Sequence, residues 1–179
     1  MQSAIRWRYC YALDFRDPAG ANPPGGAVIH YGLREKPKGE LTLEILDPQG
    51  NVYVSDRGRR EVWRFSPEGE ATAPWWTPPA ANDDNAYAPT GLAYDPVNNA
   101  IIITDSNRNT IFRVSLDGAT TETLYEHGSR EFPPVFDGVT VAPNGTLYVA
   151  ALEQNGIAKL VDGELQYLAG SFRGSSDVD

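Results

Sequence analysis

The stretch Pro89-Thr90-Gly91-Leu92-Ala93-Tyr94-Asp95-Pro96-Val97-Asn98-Asn99-Ala100-Ile101-Ile102-Ile103-Thr104-Asp105 decides the fold. Two apolar runs flank a Pro/Asn turn, which reads as an antiparallel hairpin. Ile101-Ile102-Ile103 is wholly apolar, as expected of a strand covered on both faces. The next run, Thr110-Ile111-Phe112-Arg113-Val114, alternates as a half-buried strand does. A fourth strand fits at Thr121-Glu122-Thr123-Leu124-Tyr125, after the turn Leu116-Asp117-Gly118.

The same template recurs on both sides. Upstream it reads Leu41–Leu46, turn Asp47-Pro48-Gln49-Gly50, Asn51–Asp56, Glu61–Phe65 and Glu70–Trp75. Downstream it reads Asp137–Val141, turn Ala142-Pro143-Asn144-Gly145, Thr146–Ala150, Gly156–Leu160 and Glu164–Leu168. Asp56 to Asp105 is 49 positions, Gly69 to Gly118 is 49, and Gly118 to Gly163 is 45. A four-stranded unit of roughly 45 to 50 residues is the size of a β-propeller blade. The competing architecture is a β-sandwich, in which similar hairpins recur without a true repeat. The expectation is therefore an all-β chain of about three blades of four antiparallel strands. The units are placed at residues 39–76, 89–126 and 136–170, within a single propeller-type domain over 1–179.

The first 38 residues fit the template poorly. Ile5–Phe15 alternates like one long strand, a Pro/Gly loop follows, and Ala27–Leu33 is a second short strand. Residues 171–179 form a Gly/Ser-rich tail, expected to be loose. Propellers close with about four to eight blades. Three blades are half of a six-bladed ring, which two chains could close by self-association. The N-terminal strands completing a small ring, or a longer parent protein, are the other solutions. Pairing of two chains is preferred, because C2 closure removes both open edges.

Composition narrows the partners. The chain of 179 residues has 15 Lys+Arg against 24 Asp+Glu, a net charge of −9, which argues against nucleic acid. No run approaches the roughly 20 apolar residues of a membrane-spanning helix. The single cysteine, Cys10, cannot form an internal disulfide, so a reducing, cytoplasmic setting is expected. No G-x-S-x-G elbow, H-E-x-x-H or phosphate loop occurs. Asn144-Gly145-Thr146 reads as a hairpin turn rather than a glycosylation site.

Asn51–Asp56 followed by Val62–Gly69 resembles an NHL-type blade. Pro89–Asp95 with Ile103-Thr104-Asp105-Ser106, and Phe136–Val141 with Gly145–Ala150, resemble the senescence marker protein/gluconolactonase superfamily over roughly residues 40–170. That resemblance implies a divalent metal, Ca²⁺ or Mg²⁺, at the channel level shared by Thr42, Thr90 and Asp137. Asp137-Gly138 matches the family's acidic ligand and base. Thr90-Gly91-Leu92 matches its Asn-Gly-Leu motif, with Thr90 replacing the ligand Asn, a weaker donor for a hard cation. Glu44 is the candidate by position for the family's N-terminal glutamate, with Glu40 beside it.

The implied activity is metal-dependent hydrolysis of a small-molecule lactone or ester. Two other readings stay open: a non-catalytic NHL-type scaffold, and a metal-free, strictosidine-synthase-like enzyme shaping a hydrophobic substrate. His127 is a candidate general acid or base beside Asp137. Trp75, Trp76, Tyr87, Phe132 and Phe136 are candidates for an apolar, substrate-binding mouth. The long loop before Pro89 carries Asn82, Asp83, Asp84 and Asn85, further oxygen donors or polar contacts.

Overall fold

The computed structural model describes residues 47–71, 73–79, 86–129 and 131–172. These residues form eleven strands and no helix. Three antiparallel meanders result. The first holds β1 (Val52–Asp56), β2 (Glu61–Phe65) and β3 (Pro74–Trp76) in that order. The second runs β4 (Pro89–Asp95), β5 (Ala100–Asp105), β6 (Thr110–Ser115) and β7 (Thr121–Glu126). The third runs β8 (Phe136–Val141), β9 (Leu147–Ala151), β10 (Gly156–Val161) and β11 (Glu164–Ala169). The expected four-stranded blades are present in the second and third units. The proposed inner strand of the first, residues 41–46, and both N-terminal strands lie outside the described residues.

The turns follow from local chemistry. In the β4–β5 turn the Asp95 carboxylate accepts from the Val97 and Asn98 amides (3.0 and 3.1 Å), holding the chain as an Asx turn. Gly118 closes the β6–β7 turn with φ 76°, and a Cβ there would stand 2.5 Å from the Trp75 carbonyl oxygen. β3 spans only three residues at its sheet's outer edge, where Pro74, lacking an N–H, costs no ladder bond.

The sheets stack face to face. Strand alternation sends Ile101, Ile103, Phe112 and Val114 toward the first sheet, where they meet Val62 and Trp76. It sends Ile102 and Ile111 toward the third, where they meet Phe136, Val139, Leu147, Val149 and Ala158. The middle blade is thus apolar on both faces, and every residue of β5 is buried. That explains the continuous Ile run.

A hydroxyl ties each blade to the next. Ser55 Oγ donates to the Thr90 carbonyl oxygen across the first interface (2.8 Å). Thr104 Oγ1 donates to the Asp137 carbonyl oxygen across the second (2.6 Å) and accepts the Gly91 amide (2.8 Å). Ser55 and Thr104 each stand one residue before the strand-ending aspartate, Asp56 or Asp105. The third blade has Ala150 at that place.

Candidate functional site

The inner strands β4 and β8 lie side by side and break register at the same point. Pro89 pairs Asp105 and Leu92 pairs Ile103, so Thr90-Gly91 faces Thr104 alone. Phe136 pairs Ala151 and Val139 pairs Val149, so Asp137-Gly138 faces Ala150 alone. Bulges of this kind re-aim side chains and are common beside active sites. They also show that Thr90 and Asp137 occupy equivalent positions.

Asp137 sits half-buried on the inner edge of the third blade. Burial pushes its carboxyl pKa up, and the Arg57 guanidinium partly opposes this. A carboxylate poised this way suits a base better than an exposed one. Thr90 is half-buried too, but its hydroxyl donates to the Ala88 carbonyl (2.8 Å). Its own carbonyl is engaged by Ser55. Among the described residues no three His, Cys, Asp or Glu side chains gather as metal ligands. Asp137 and a committed Thr90 hydroxyl do not by themselves fit Ca²⁺, which takes about six to eight oxygens. Glu44, Glu40, Thr42 and Asn82–Asn85 lie outside the described residues.

The structure separates His127 from Asp137. His127 follows β7, the outermost strand of its blade, while Asp137 lies on the inner strand of the next. β7 is three strands out from β4, a span of roughly 14 Å at strand spacing. The His127 ring instead meets the Tyr125 hydroxyl at 3.1 Å and the Glu131 carbonyl at 3.4 Å.

The aromatic candidates divide. Phe136 is fully buried against Tyr125, with ring centroids 5.7 Å apart, and belongs to the core. Trp76 is buried beside Phe112 at 5.4 Å, its indole N–H donating to Thr121 Oγ1 (2.9 Å). Trp75 meets Tyr53 edge-on at 4.8 Å and donates to the Leu116 carbonyl (3.0 Å). All three weld blades together, because their flat apolar area is worth most between sheets. Tyr87 packs on Phe112 at 5.9 Å beneath the Arg108 guanidinium. Phe132 alone is open, 84% exposed on the loop leading to β8 with φ 52°.

The neighbouring carboxylates are turn caps. Asp105 is buried and its pKa is raised by that burial. It accepts the amides of Ala88, Asn107 and Arg108, tying the mouth loop to the β5–β6 turn. Asp56 accepts the Arg59 amide (2.9 Å) in the matching turn of the first blade. A polar cavity of about 280 Å³ opens between the second and third blades near the β4–β5 turn, away from Asp137. Its one arginine, Arg113, is already held by Asp95 (3.3 Å) and Glu122 (2.9 Å).

Sequence reading does not single out Arg57. Its signal is comparative. The residue after the strand-ending position is Arg57, Ser106 and Leu152 in the three blades, so the cation is not a requirement of the turn.

The shape has well-formed parallels among solved structures. A virginiamycin B lyase from Staphylococcus aureus, crystallised with quinupristin, superposes with TM-score 0.58 at 22% identity, over 85% of this chain and 48% of that one. The fold is that of β-propeller blades. A putative gluconolactonase matches with TM-score 0.54 at 22% identity over 74% of this chain and 48% of that chain. A calcium-binding regucalcin from Agrobacterium tumefaciens matches with TM-score 0.52 at 16% identity over 73% and 45%. The chain spans less than half the length of these propellers. The blades thus have the β-propeller fold that the repeat implied. No protein-family model and no curated protein matches the sequence. No helix among the described residues is long and apolar enough to cross a membrane.

Proposed function

We propose that the blades form part of a propeller hydrolase acting on a small lactone or ester, with Asp137 as general base. The observation that carries this is Asp137 itself: a half-buried carboxylate on a bulged inner strand, its pKa raised by burial. The gluconolactonase-type fold favours that chemistry without specifying it. A Ca²⁺ or Mg²⁺ ion at Asp137 would need further oxygen donors, for which Glu44 and the Asn82–Asn85 stretch are the candidates in the sequence.

The test is a panel of γ- and δ-lactones and aryl esters assayed with the parent and with Asp137→Asn. Loss of a general base is expected to slow hydrolysis about 10²-fold or more. Hydrolysis at the parental rate by Asp137→Asn, or none by the parent, overturns the reading. Calorimetric titration with Ca²⁺ and Mg²⁺ measures metal binding separately. One observation favours binding without chemistry: Phe132, almost fully exposed on a mouth loop. In that case Phe132→Ala, not Asp137→Asn, abolishes ligand binding.

We also propose that two chains pair through the outer faces of the first and third blades. Alternation leaves Val52, Val54, Trp63 and Phe65 on the face of the first sheet turned away from the second. It leaves Ile157 and Lys159 on the matching outer face of the third. The composition resembles that of the internal interfaces, and Glu61 on the first face complements Lys159 on the other. Light scattering is expected to give twice the 19.6 kDa chain mass, and Ile157→Glu to halve it. A parental monomer overturns the pairing.

A further inference from the structure

Trp75 and Leu124 hold the same place in successive blades. In the β2–β3 register Val62 pairs Trp76 and Trp63 pairs Pro74, which leaves Trp75 as the extra, bulged residue. In the β6–β7 register Ile111 pairs Tyr125 and Phe112 pairs Thr123, which leaves Leu124. Each faces the blade that follows, Trp75 in the first interface and Leu124 in the second. The first interface is full at this place. The Trp75 indole N–H and Arg64 Nη1 both donate to the Leu116 carbonyl oxygen, at 3.0 and 2.9 Å. The turn glycine below, Gly118, lies so near that a Cβ would stand 3.1 Å from Trp75 Nε1. The second interface is not full. Its turn glycine, Gly163, has φ 80° where Gly118 has 76°, yet nothing among the described residues lies within 4 Å of a Cβ there. Three differences explain the gap. The Val161–Glu164 pair closes the β10–β11 turn over two residues, where Val114–Thr121 closes the β6–β7 turn over six. Arg113, at the strand position of Arg64, is drawn back to Asp95 and Glu122 of its own blade at 3.3 and 2.9 Å. Leu124 is smaller than an indole. What remains is the cavity of about 280 Å³, with Leu124, Val141, Leu147 and Leu160 in its wall and the exposed Glu122 and Asp162 beside them.

We propose that this cavity is a binding site for a small planar aromatic molecule that carries an N–H donor and no negative charge. It stands apart from the hydrolase reading, because it opens by the β4–β5, β8–β9 and β10–β11 turns, at the other end of the strands from the Asp137 bulge. The chain supplies the template. In the first interface the flat ring wedged between two blades is the Trp75 side chain, its N–H satisfied by a carbonyl. In the second, a free ring takes that place against Leu124, Val141, Leu147 and Leu160, and its N–H donates to the carboxylate of Glu122 or Asp162. The volume lies just under the roughly 300 to 1,000 Å³ of ligand pockets and suits a bicyclic ring rather than a larger group. The lining holds the carboxylates of Asp95, Glu122 and Asp162 against the single cation of Arg113, so an anionic ring is disfavoured.

The experiment titrates the nitrogen-15-labelled chain with 3-methylindole, the tryptophan side chain as a free molecule, and follows the amide resonances. Saturable shifts are expected at Thr123, Leu124, Gly145 and Gly163, with a Kd on the order of 1 mM for a ligand this small. The Gly118 amide, where Trp75 already fills the equivalent place, is expected to stay put. Methylating the ring nitrogen, in 1,3-dimethylindole, is expected to weaken binding about 10-fold by removing the donor. Indole-3-acetate is expected to cause no shift at the same concentration. Leu124→Trp puts the ring on the chain itself. It is expected to lower the affinity for 3-methylindole by about 10-fold or more and to raise the melting temperature by about 2 to 4 °C. Val141→Phe fills the cavity from the facing blade and repeats that test if Leu124→Trp does not fold. No saturable shift at these four amides overturns the site. So does parental affinity in a folded Leu124→Trp or Val141→Phe variant. Equal binding of 1,3-dimethylindole, or of indole-3-acetate, overturns the assigned ligand class. Lactone hydrolysis and its dependence on Asp137 are read separately and bear on neither result.

Discussion

Gly91→Ala is expected to destabilise the blade stack severely. A Cβ at Gly91 would stand 2.3 Å from the Asp137 carbonyl oxygen and 2.7 Å from Thr104 Oγ1. Neither neighbour can yield cheaply. The carbonyl belongs to β8, and the Thr104 hydroxyl is already shared between the Gly91 amide and that same carbonyl. Relief would require β4 and β8 to part, exposing apolar surface between the second and third blades. Overpacking of this kind costs about 3 kcal/mol or more. Urea unfolding followed by tryptophan fluorescence checks it. Gly128→Ala is the control, since nothing lies within 4 Å of a Cβ there. A Gly91→Ala midpoint equal to the parent's would show that the inner strands are further apart than described. The geometry also couples stability to the site, because the carbonyl that excludes a side chain at position 91 belongs to Asp137.

Phe136→Ala is the second large effect. Phe136 is fully buried between the second and third blades, packed with Ile102 and Ile111 and edge-on to Tyr125 at 71°. Truncating such a ring removes its transfer free energy and leaves a cavity that rigid strands on both sides cannot fill. About 3 to 5 kcal/mol is expected, a melting-point drop on the order of 10 °C. Phe132→Ala, four residues earlier and 84% exposed, is expected to leave the melting temperature unchanged. Scanning calorimetry of both variants separates packing from surface. Equal, small shifts would place Phe136 outside the core.

Much of the architecture was legible in the chain. Turns punctuated by Asp, Pro, Asn and Gly marked strand ends to within a residue or two through the second and third blades. The apolar Ile101–Ile103 run announced a blade covered on both sides. The site was less legible. The aromatics Trp75, Trp76 and Phe136 looked equally suited to a mouth or a core, and only packing assigned them to interfaces. His127 looked close to Asp137 because ten positions separate them, yet a meander carries those positions from the outer edge of one sheet to the inner edge of the next.

The sequence by itself determined the repeat, the strand order and the all-β class, because turn chemistry and alternation are local and act within a few residues. The tertiary structure alone decided which side chains share a place. The hydroxyl ties from Ser55 and Thr104 and the exclusion of any side chain at Gly91 arise where one sheet meets the next. Contacts of that kind join residues tens of positions apart, and no spacing within a single blade encodes them.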